Sequence, residues 1–378
     1  MKKLRIVIIS LLLFGIQDAR AQASKKSAVQ SLVDSLRAAG NYPGLSVAVH
    51  YTTGDQFAVV SGQADKEKNI PLQTRDALLQ GSVGKTYTAA LALQLMKEGK
   101  IDMNRKVSAY LGHHPWYARI PNASEITVKM LMNHTSGVMR YEFKEAFTRD
   151  LTANPDRTWK PEDLLTYILD EKASFEAGSD WEYSDTNFIL LGMIIEQVTG
   201  MKYYDLLEKN ILDRYGLRET FPSDKRKLDR LVMGYAGSEN AFGGKDKVIG
   251  DDGKFIINPQ FEWTGGGIYS TTADLAKWGA LLYGGSVIDT ATMIWYAVPA
   301  KLGRNTRYGL GVIIRQTQSG VAYGHSGFFP GYLTEMYYFP AYKVCIAVQA
   351  NSSDFKTLKT GLFRVLMEVA GVLFEPGK

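Results

Sequence analysis

The chain has 378 residues, of which 45% are hydrophobic and 22% charged, a composition typical of globular proteins. This excludes a disordered tail, a collagen-like repeat and a small disulfide-stapled scaffold, and the length is sufficient to bury a full hydrophobic core. The formal net charge is only +5 and there is no clustered basic stripe, so the sequence predicts no nucleic-acid partner.

The first 21 residues have the pattern of a secretory signal peptide. Lys2, Lys3 and Arg5 form a basic start, and an apolar run follows at 6–16. That run is too short to cross a bilayer as a helix, and the small residues around Ala21 fit a cleavage site. The sequence therefore predicts an exported protein, periplasmic or extracellular, whose mature chain at 22–378 has no transmembrane segment.

Strand-like and helix-like patterns follow one another along the mature chain. Apolar spacing predicts an amphipathic helix over 27–39, and two alternating segments around a Thr-Thr-Gly-Asp turn at 52–55 predict a β-hairpin. Further helices are predicted at 87–97, 164–168, 188–198 and 274–282, with surface loops or short strands at 218–260. Four more strands are predicted at 310–315, 321–325, 333–339 and 343–349, before a last helix at 357–373.

This order of elements predicts an α/β fold. Strands from both chain ends form one antiparallel sheet flanked by helices, and a mainly helical domain is inserted between them. We place the α/β part at about 22–81 and 262–378, and the helical insert at about 82–261. The single cysteine, Cys345, lies in a strand-like apolar run and is expected to be a buried structural residue.

The sharpest local signal is Gly81-Ser82-Val83-Gly84-Lys85, which opens a predicted helix. Positions i and i+3 share a helix face, so Ser82 and Lys85 point the same way. The helix N-terminus supplies unpaired N–H groups, and a desolvated lysine can take the proton of a serine. A phosphate-binding P-loop would need glycine in place of Leu79, and a nucleophile elbow would need it in place of Gln80, so both alternatives fail.

Four other segments accompany this motif in a fixed order. They are Leu131-Met132-Asn133-His134-Thr135-Ser136-Gly137, Tyr183-Ser184-Asp185, the Gly-Gly-x-x-Ser-Thr segment at 266–275, and His325-Ser326-Gly327. With Ser82-x-x-Lys85 they resemble the serine β-lactamase and penicillin-binding protein superfamily, in its class C β-lactamase, DD-carboxypeptidase and esterase branch. The resemblance covers roughly residues 25–375 and implies the β-lactamase/transpeptidase-like fold.

The resemblance also implies a serine hydrolase that works through an acyl-enzyme. Ser82 would be the nucleophile, and Lys85 and Tyr183 would share the proton transfers, with the choice of base left open by the sequence. The backbone N–H groups of Ser82 and Phe328 would form the oxyanion hole. The expected substrate-binding residues are Asp185, His325, Ser326 and Gly327, where Gly327 would let substrate lie close along its strand and His325 would bind a substrate carboxylate or relay a proton.

Two residues depart from the family pattern. Asp185 stands where the family usually has asparagine, and a carboxylate near Lys85 would hold the lysine protonated. Alternatively, Asp185 would favour a substrate that carries an ammonium group, or Asn187 would take the polar role. His325 replaces the lysine of the β-lactamases, and this version resembles DD-carboxypeptidases, D-aminopeptidases and esterases more closely.

We therefore expect an exported serine hydrolase acting on a small-molecule or peptide substrate, at an amide or ester bond next to a D-amino acid, as in peptidoglycan stem peptides. A small-ester or lactone esterase, a class C-like β-lactamase and a non-catalytic penicillin-binding sensor remain as alternatives. The sequence has no cysteine pair and no His-x-x-x-His motif, so we expect no metal and no other cofactor. It leaves the oligomeric state open.

Overall fold

The computed structural model describes residues 22–374, so the predicted signal peptide at 1–21 lies outside the described residues. The helices are α1 (22–40), α2 (Lys85–Lys97), α3 (Ser108–Leu111), α4 (Val128–Met132), α5 (Glu145–Ala153), α6 (Pro161–Leu165), α7 (Asp185–Thr199), α8 (Tyr203–Leu207), α9 (Trp263–Gly266), α10 (Thr272–Tyr283), α11 (Thr290–Trp295) and α12 (Leu362–Phe374). Within 22–374, no helix is long and apolar enough to span a membrane.

The strands come from the two ends of the chain. They are β1 (Gly44–Tyr51), β2 (Gln56–Asp65), β3 (Ile70–Pro71), β4 (Leu78–Leu79), β5 (Thr220–Pro222), β6 (Ile268–Ser270), β7 (Val298–Pro299), β8 (Thr306–Tyr308), β9 (Ile313–Thr317), β10 (Gly320–Phe329), β11 (Tyr332–Phe339) and β12 (Val344–Ala350). β4, β6 and β5 pair in a small separate sheet.

Nine of the strands within residues 22–374 form one antiparallel sheet, in the order β3-β2-β1-β12-β11-β10-β9-β8-β7. Within it β1 pairs with β12, where Val47 lies opposite Val348. The first and last strands of residues 22–374 are therefore neighbours. This arrangement, flanked by helices, confirms the predicted fold class, while the proposed boundaries of the helical insert stay a prediction.

The side chains of β12 show how the sheet separates two cores. Successive residues of a strand point to opposite faces. Ile346 and Val348 pack in the core that includes Val365 of α12 and Val29 of α1, whereas Cys345 faces the core that contains α10. Burial raises the pKa of the Cys345 thiol, in keeping with a structural residue.

Helices α2 and α7 form the centre of the helical part. Both are apolar nearly all round and almost fully buried, and they pack against each other. Gly200, in the left-handed conformation, ends α7. Because Lys85 begins α2 and Asp185 begins α7, this packing brings two motifs that are 100 residues apart in the sequence to one place.

The largest differences from the predicted helix boundaries are in α1, α6 and α12. α1 covers 22–40 instead of 27–39. α6 begins earlier, at Pro161, where proline fits the first helical position and Asp163 accepts a hydrogen bond from the Lys160 N–H. α12 begins at Leu362 instead of 357, because the preceding residues turn around Asp354, which binds the N–H groups of the residues at 357 and 358.

Candidate active site

Ser82 lies in a 3-10 turn, Gly81–Gly84, that leads directly into α2. This turn packs against the edge of β10, since β9 pairs with β10 only through residues 320–324. A Cβ on Gly81 would lie 2.5 Å from the Phe328 carbonyl oxygen and 2.8 Å from its nitrogen, and one on Gly327 would overlap the carbonyl oxygen of Gln80. Both glycines permit close backbone packing. Glycine is therefore required at 327 by the contact with Gln80, and not by the approach of substrate that was expected from the sequence.

Lys85 is completely buried behind Ser82. Its Nζ donates to Ser82 Oγ at 3.2 Å and to the carbonyl oxygen of Gly265 at 2.5 Å, and it forms an ion pair with Asp185. An ammonium group has three donors, and all three are used here. The geometry is therefore that of a charged lysine bonded to a serine hydroxyl.

Asp185 is held between two cations of the chain itself. One of its carboxylate oxygens pairs with Lys85, and the other accepts a hydrogen bond from Arg140 Nη2 at 3.3 Å. Burial alone would raise the pKa of Asp185, but Lys85 and Arg140 hold it below its usual range. Since both oxygens are engaged, the geometry supports the pairing with Lys85 and does not favour the alternative of binding a substrate ammonium.

The alternative that Asn187 replaces Asp185 is not supported by the geometry either. Asn187 is buried, and its Oδ1 accepts a hydrogen bond from Ser136 Oγ at 2.6 Å. Its Nδ2 lies 3.1 Å from His134 Nδ1. Asn187 therefore fixes the His-Thr-Ser-Gly segment.

Tyr183 presents a buried hydroxyl with no hydrogen-bond partner in the part of the chain that the structure describes. Its ring lies over the lysine, with Lys85 Nζ 4.9 Å from the ring centroid, and packs against His134 at a centroid distance of 4.3 Å. Burial raises the pKa of Tyr183 well above its usual value, and the Asp185 carboxylate adds to this. The phenol is thus protonated at neutral pH and can donate a proton.

His325 is a neutral residue in this environment. Its Nε2 lies 2.9 Å from the Tyr308 hydroxyl and its Nδ1 lies 2.7 Å from the Ser326 carbonyl oxygen. Burial lowers the pKa of His325 to about 3, and the nearby Lys85 contributes to this. Both nitrogens are engaged and the ring carries no charge at neutral pH, so the geometry does not favour His325 as the anchor of a substrate carboxylate.

One cavity of about 590 Å³ brings the predicted residues together. All of the predicted site residues except Lys85 line this cavity, and Lys85 lies behind its wall. Ser326 also faces the cavity, where its hydroxyl donates to Glu335 Oε2 at 2.7 Å. Within residues 22–374, no group of His, Cys, Asp or Glu side chains is arranged to hold a metal ion.

The sequence reasoning missed several cavity residues, above all Arg140, Glu262 and a cluster of aromatic rings. Phe261 lies in this cluster, 5.4 Å from Phe147 and 6.1 Å from Phe329 between ring centroids. Two of the missed residues lie close in sequence to recognised motif segments, which could have indicated them. Arg140 follows the His-Thr-Ser-Gly segment by three residues, and Glu262 lies four residues before the Gly-Gly segment at 266.

The fold defines the class of this protein, which is that of the serine hydrolases with the β-lactamase/transpeptidase fold. The family model described as Beta-lactamase matches residues 29–370. The chain therefore belongs to the Beta-lactamase family.

Its relatives include penicillin-binding proteins. The chain is 26% identical to penicillin-binding protein 4 of Amycolatopsis lactamdurans over 371 residues, which cover 91% of this chain and 90% of the relative. It is 25% identical to penicillin-binding protein 4* of Bacillus subtilis strain 168 over 347 residues, or 88% and 73% of the two chains. Among solved structures, the fold resembles that of the D-amino acid amidase from Ochrobactrum anthropi SV3 in complex with D-phenylalanine, with a TM-score of 0.79, 22% identity, and coverage of 93% and 99%.

Proposed function

We propose that this protein is an exported serine amidohydrolase that cleaves amide bonds next to a D-amino acid, as in D-amino-acid amides and peptidoglycan-derived peptides, through an acyl-enzyme on Ser82. The observation that carries the proposal is the 3.2 Å hydrogen bond from Lys85 Nζ to Ser82 Oγ at the wall of the 590 Å³ cavity. The likeness of the fold to a D-amino acid amidase supports the substrate class.

In the acylation step, Ser82 Oγ bonds to the carbonyl carbon of the substrate. The proton of Ser82 passes to Lys85 as Lys85 passes one of its own protons to Tyr183, while Asp185 stays charged and paired with the lysine. The backbone N–H groups of Ser82 and Phe328 would stabilise the oxyanion. As the carbon–nitrogen bond breaks, Tyr183 donates its phenolic proton to the leaving amine, and the proton from Lys85 replaces it.

The cavity supports an apolar side chain beside the scissile bond. Aromatic rings, among them those of Phe147, Phe261 and Phe329, form part of its wall, and apolar walls bind apolar ligand groups. His325 carries no charge to attract a free carboxylate at neutral pH. We therefore favour amides and aminopeptidase-type substrates over the free C-terminal carboxylate of a carboxypeptidase substrate.

The test compares D- and L-phenylalanine amide, with ammonia release as the measurement and Ser82→Ala as the control. We expect hydrolysis of the D-amide at least about tenfold faster than that of the L-amide, and none in the control. Whole-protein mass spectrometry with a penicillin and an activated phenyl ester would also detect adducts on Ser82. Turnover of the ester alone would contradict the proposal in favour of an esterase, and penicillin adducts without amide turnover would favour a sensor.

A further inference from the structure

Glu262 is the one cavity-lining carboxyl within residues 22–374 that has no partner. It lines the cavity, and its Oε2 is buried without a hydrogen bond. The other carboxyls of the cavity wall each have at least one engaged oxygen: Asp185 pairs with Lys85 and Arg140, and Glu335 accepts from Ser326. Glu142 accepts from Arg140 through Oε1, although its Oε2 is also buried without a partner. A buried acceptor that is left unpaired costs free energy, which makes it a feature that calls for a functional reason.

A strained turn places this carboxyl near the Gly81–Gly84 turn that carries Ser82. Trp263, the next residue, has φ 38° and ψ −117°, a backbone conformation that is costly for any residue other than glycine. A Cβ on Gly266 would lie 2.7 Å from Glu262 Oε2 and 2.9 Å from the carbonyl of Gly81. Gly266 therefore lies between the Glu262 carboxyl and Gly81, the residue that precedes Ser82.

Hydrolysis of the acyl-enzyme needs a group that accepts a proton from the attacking water. After acylation, Lys85 is again an ammonium group, and it serves Ser82 Oγ as a donor. Tyr183 is protonated at neutral pH, and both nitrogens of His325 are engaged. A water molecule that attacks the acyl carbon must lose a proton, and Glu262 has the free oxygen to take it.

We infer that Glu262 is a catalytic residue that accepts the proton of the water that hydrolyses the acyl-enzyme, an inference that rests on the proposed function. The water oxygen bonds to the acyl carbon as its proton moves to Glu262. The bond from that carbon to Ser82 Oγ breaks, and Oγ takes a proton from Lys85. Glu262 then returns its proton to Lys85, which restores the resting state and releases the carboxylic acid.

The charges around Glu262 suit this role. Burial raises the pKa of Glu262 to about 8; the Asp185 carboxylate of α7 adds to the rise and the Lys85 ammonium of α2 opposes it. Tyr141 and Tyr204 are the other titratable groups that face it, and burial raises the pKa of both well above their usual values. The fraction of Glu262 that is deprotonated, and so able to accept a proton, therefore increases as the pH rises towards 8. A base is most effective when its pKa lies near the working pH.

The test measures the lifetime of the acyl-enzyme by mass spectrometry after acylation with an activated phenyl ester, over pH 6 to 9. In the wild type we expect deacylation to speed up as the pH rises towards 8. In Glu262→Gln we expect acylation to proceed and deacylation to slow by about 100-fold, without that pH dependence. Glu208→Gln, an exposed carboxyl outside the cavity, serves as the matched control.

A second variant separates chemistry from folding. In Glu262→Ala, added formate is expected to restore part of the deacylation rate, because a small carboxylate can occupy the vacated position. Wild-type deacylation kinetics in Glu262→Gln, or a slower rate with the wild-type pH profile, would overturn the inference. Absence of any adduct on Ser82 in the wild type would instead reject the proposed function on which the inference rests.

Discussion

At the scale of single residues, the presence of Asp185 where the family usually has asparagine has the largest consequence. It places a carboxylate against a fully buried lysine, and Arg140 balances the remaining negative charge. Lys85 can therefore take the proton of Ser82 only as it gives one of its own protons to Tyr183. A single position thus changes the resting charge of the site.

The ion pair predicts a specific loss of stability. Asp185→Ala removes the counter-charge of a lysine that is completely buried, so we expect the free energy of unfolding to fall by about 3–5 kcal/mol. Asp185→Asn keeps an oxygen acceptor for Lys85 and should cost less. Urea denaturation measures both changes.

An exposed ion pair provides the control for this prediction. Glu125 pairs with Lys106 at the surface, where solvent screens the charges. Glu125→Ala is expected to leave the unfolding midpoint nearly unchanged. If Asp185→Ala and Glu125→Ala shift the midpoint equally, the buried pair does not have the role assigned to it.

At the scale of elements, the site is formed where the Ser82 turn meets the unpaired edge of β10. Gly81 and Gly327 allow the two backbones to touch, and no side chain would fit between them. Lys85 and Asp185 are the first residues of α2 and α7, and the packing of these helices places them at the site. The two proposed oxyanion donors belong to the two elements that meet here, so their separation depends on this contact.

This contact predicts that Gly327→Ala impairs acylation. The added methyl group would overlap the Gln80 carbonyl oxygen and push β10 away from Ser82. We expect the rate of Ser82 acylation to fall by about 100-fold, as for loss of an oxyanion-hole donor. Gly371→Ala in α12 meets no neighbour and should leave acylation unchanged while stabilising the helix by up to about 1 kcal/mol. Equal acylation rates in the two variants would contradict the proposed oxyanion hole.

At the scale of the whole molecule, the nine-stranded sheet joins the first and last strands of the described residues 22–374 and places the cavity beside it. Because several titratable groups of the cavity wall are buried, they stay neutral at pH 7. Burial raises the pKa of Glu262 to about 8 and of Glu335 to about 7, and lowers that of His325 to about 3. The molecule thus carries a cluster of uncharged acids and bases around its site.

These shifts predict that stability falls as the pH rises above about 6.5. There the unfolded chain has released the protons of Glu262 and Glu335 while the folded protein still binds them. Between about pH 4.5 and 6.5 the unfolded chain also protonates His134 and His325 while the folded protein does not, which opposes the effect of the carboxyls and leaves stability nearly level. Asp185 stays charged in both states over this range.

We expect the free energy of unfolding to decrease by on the order of 2 kcal/mol between pH 6.5 and 8. Urea denaturation at several pH values measures it. Glu262→Gln should reduce this slope, because it removes one of the groups that cause it. An unchanged slope in that variant would mean that Glu262 does not retain its proton in the folded protein.

The sequence by itself determined the fold class and the family, because Ser82-x-x-Lys85 and its accompanying segments are local patterns in a fixed order. It also placed six of the twelve helices and six of the twelve strands within residues 22–374, since apolar spacing is a local property. Helix ends were less certain, because at Leu362 a turn around Asp354 overrides the apolar spacing that favours an earlier start.

Only the tertiary structure decided which groups face one another. The pairing of Asp185 with Arg140, the packing of Gly327 on Gln80 and the free carboxyl of Glu262 all join segments far apart in the chain. The charge of a buried group depends on the groups around it in space, so the neutral state of His325 and the raised pKa of Glu262 could not be derived from spacing. Motifs therefore predicted the identity of the candidate nucleophile, whereas burial and long-range contacts determine the protonation states with which it would work.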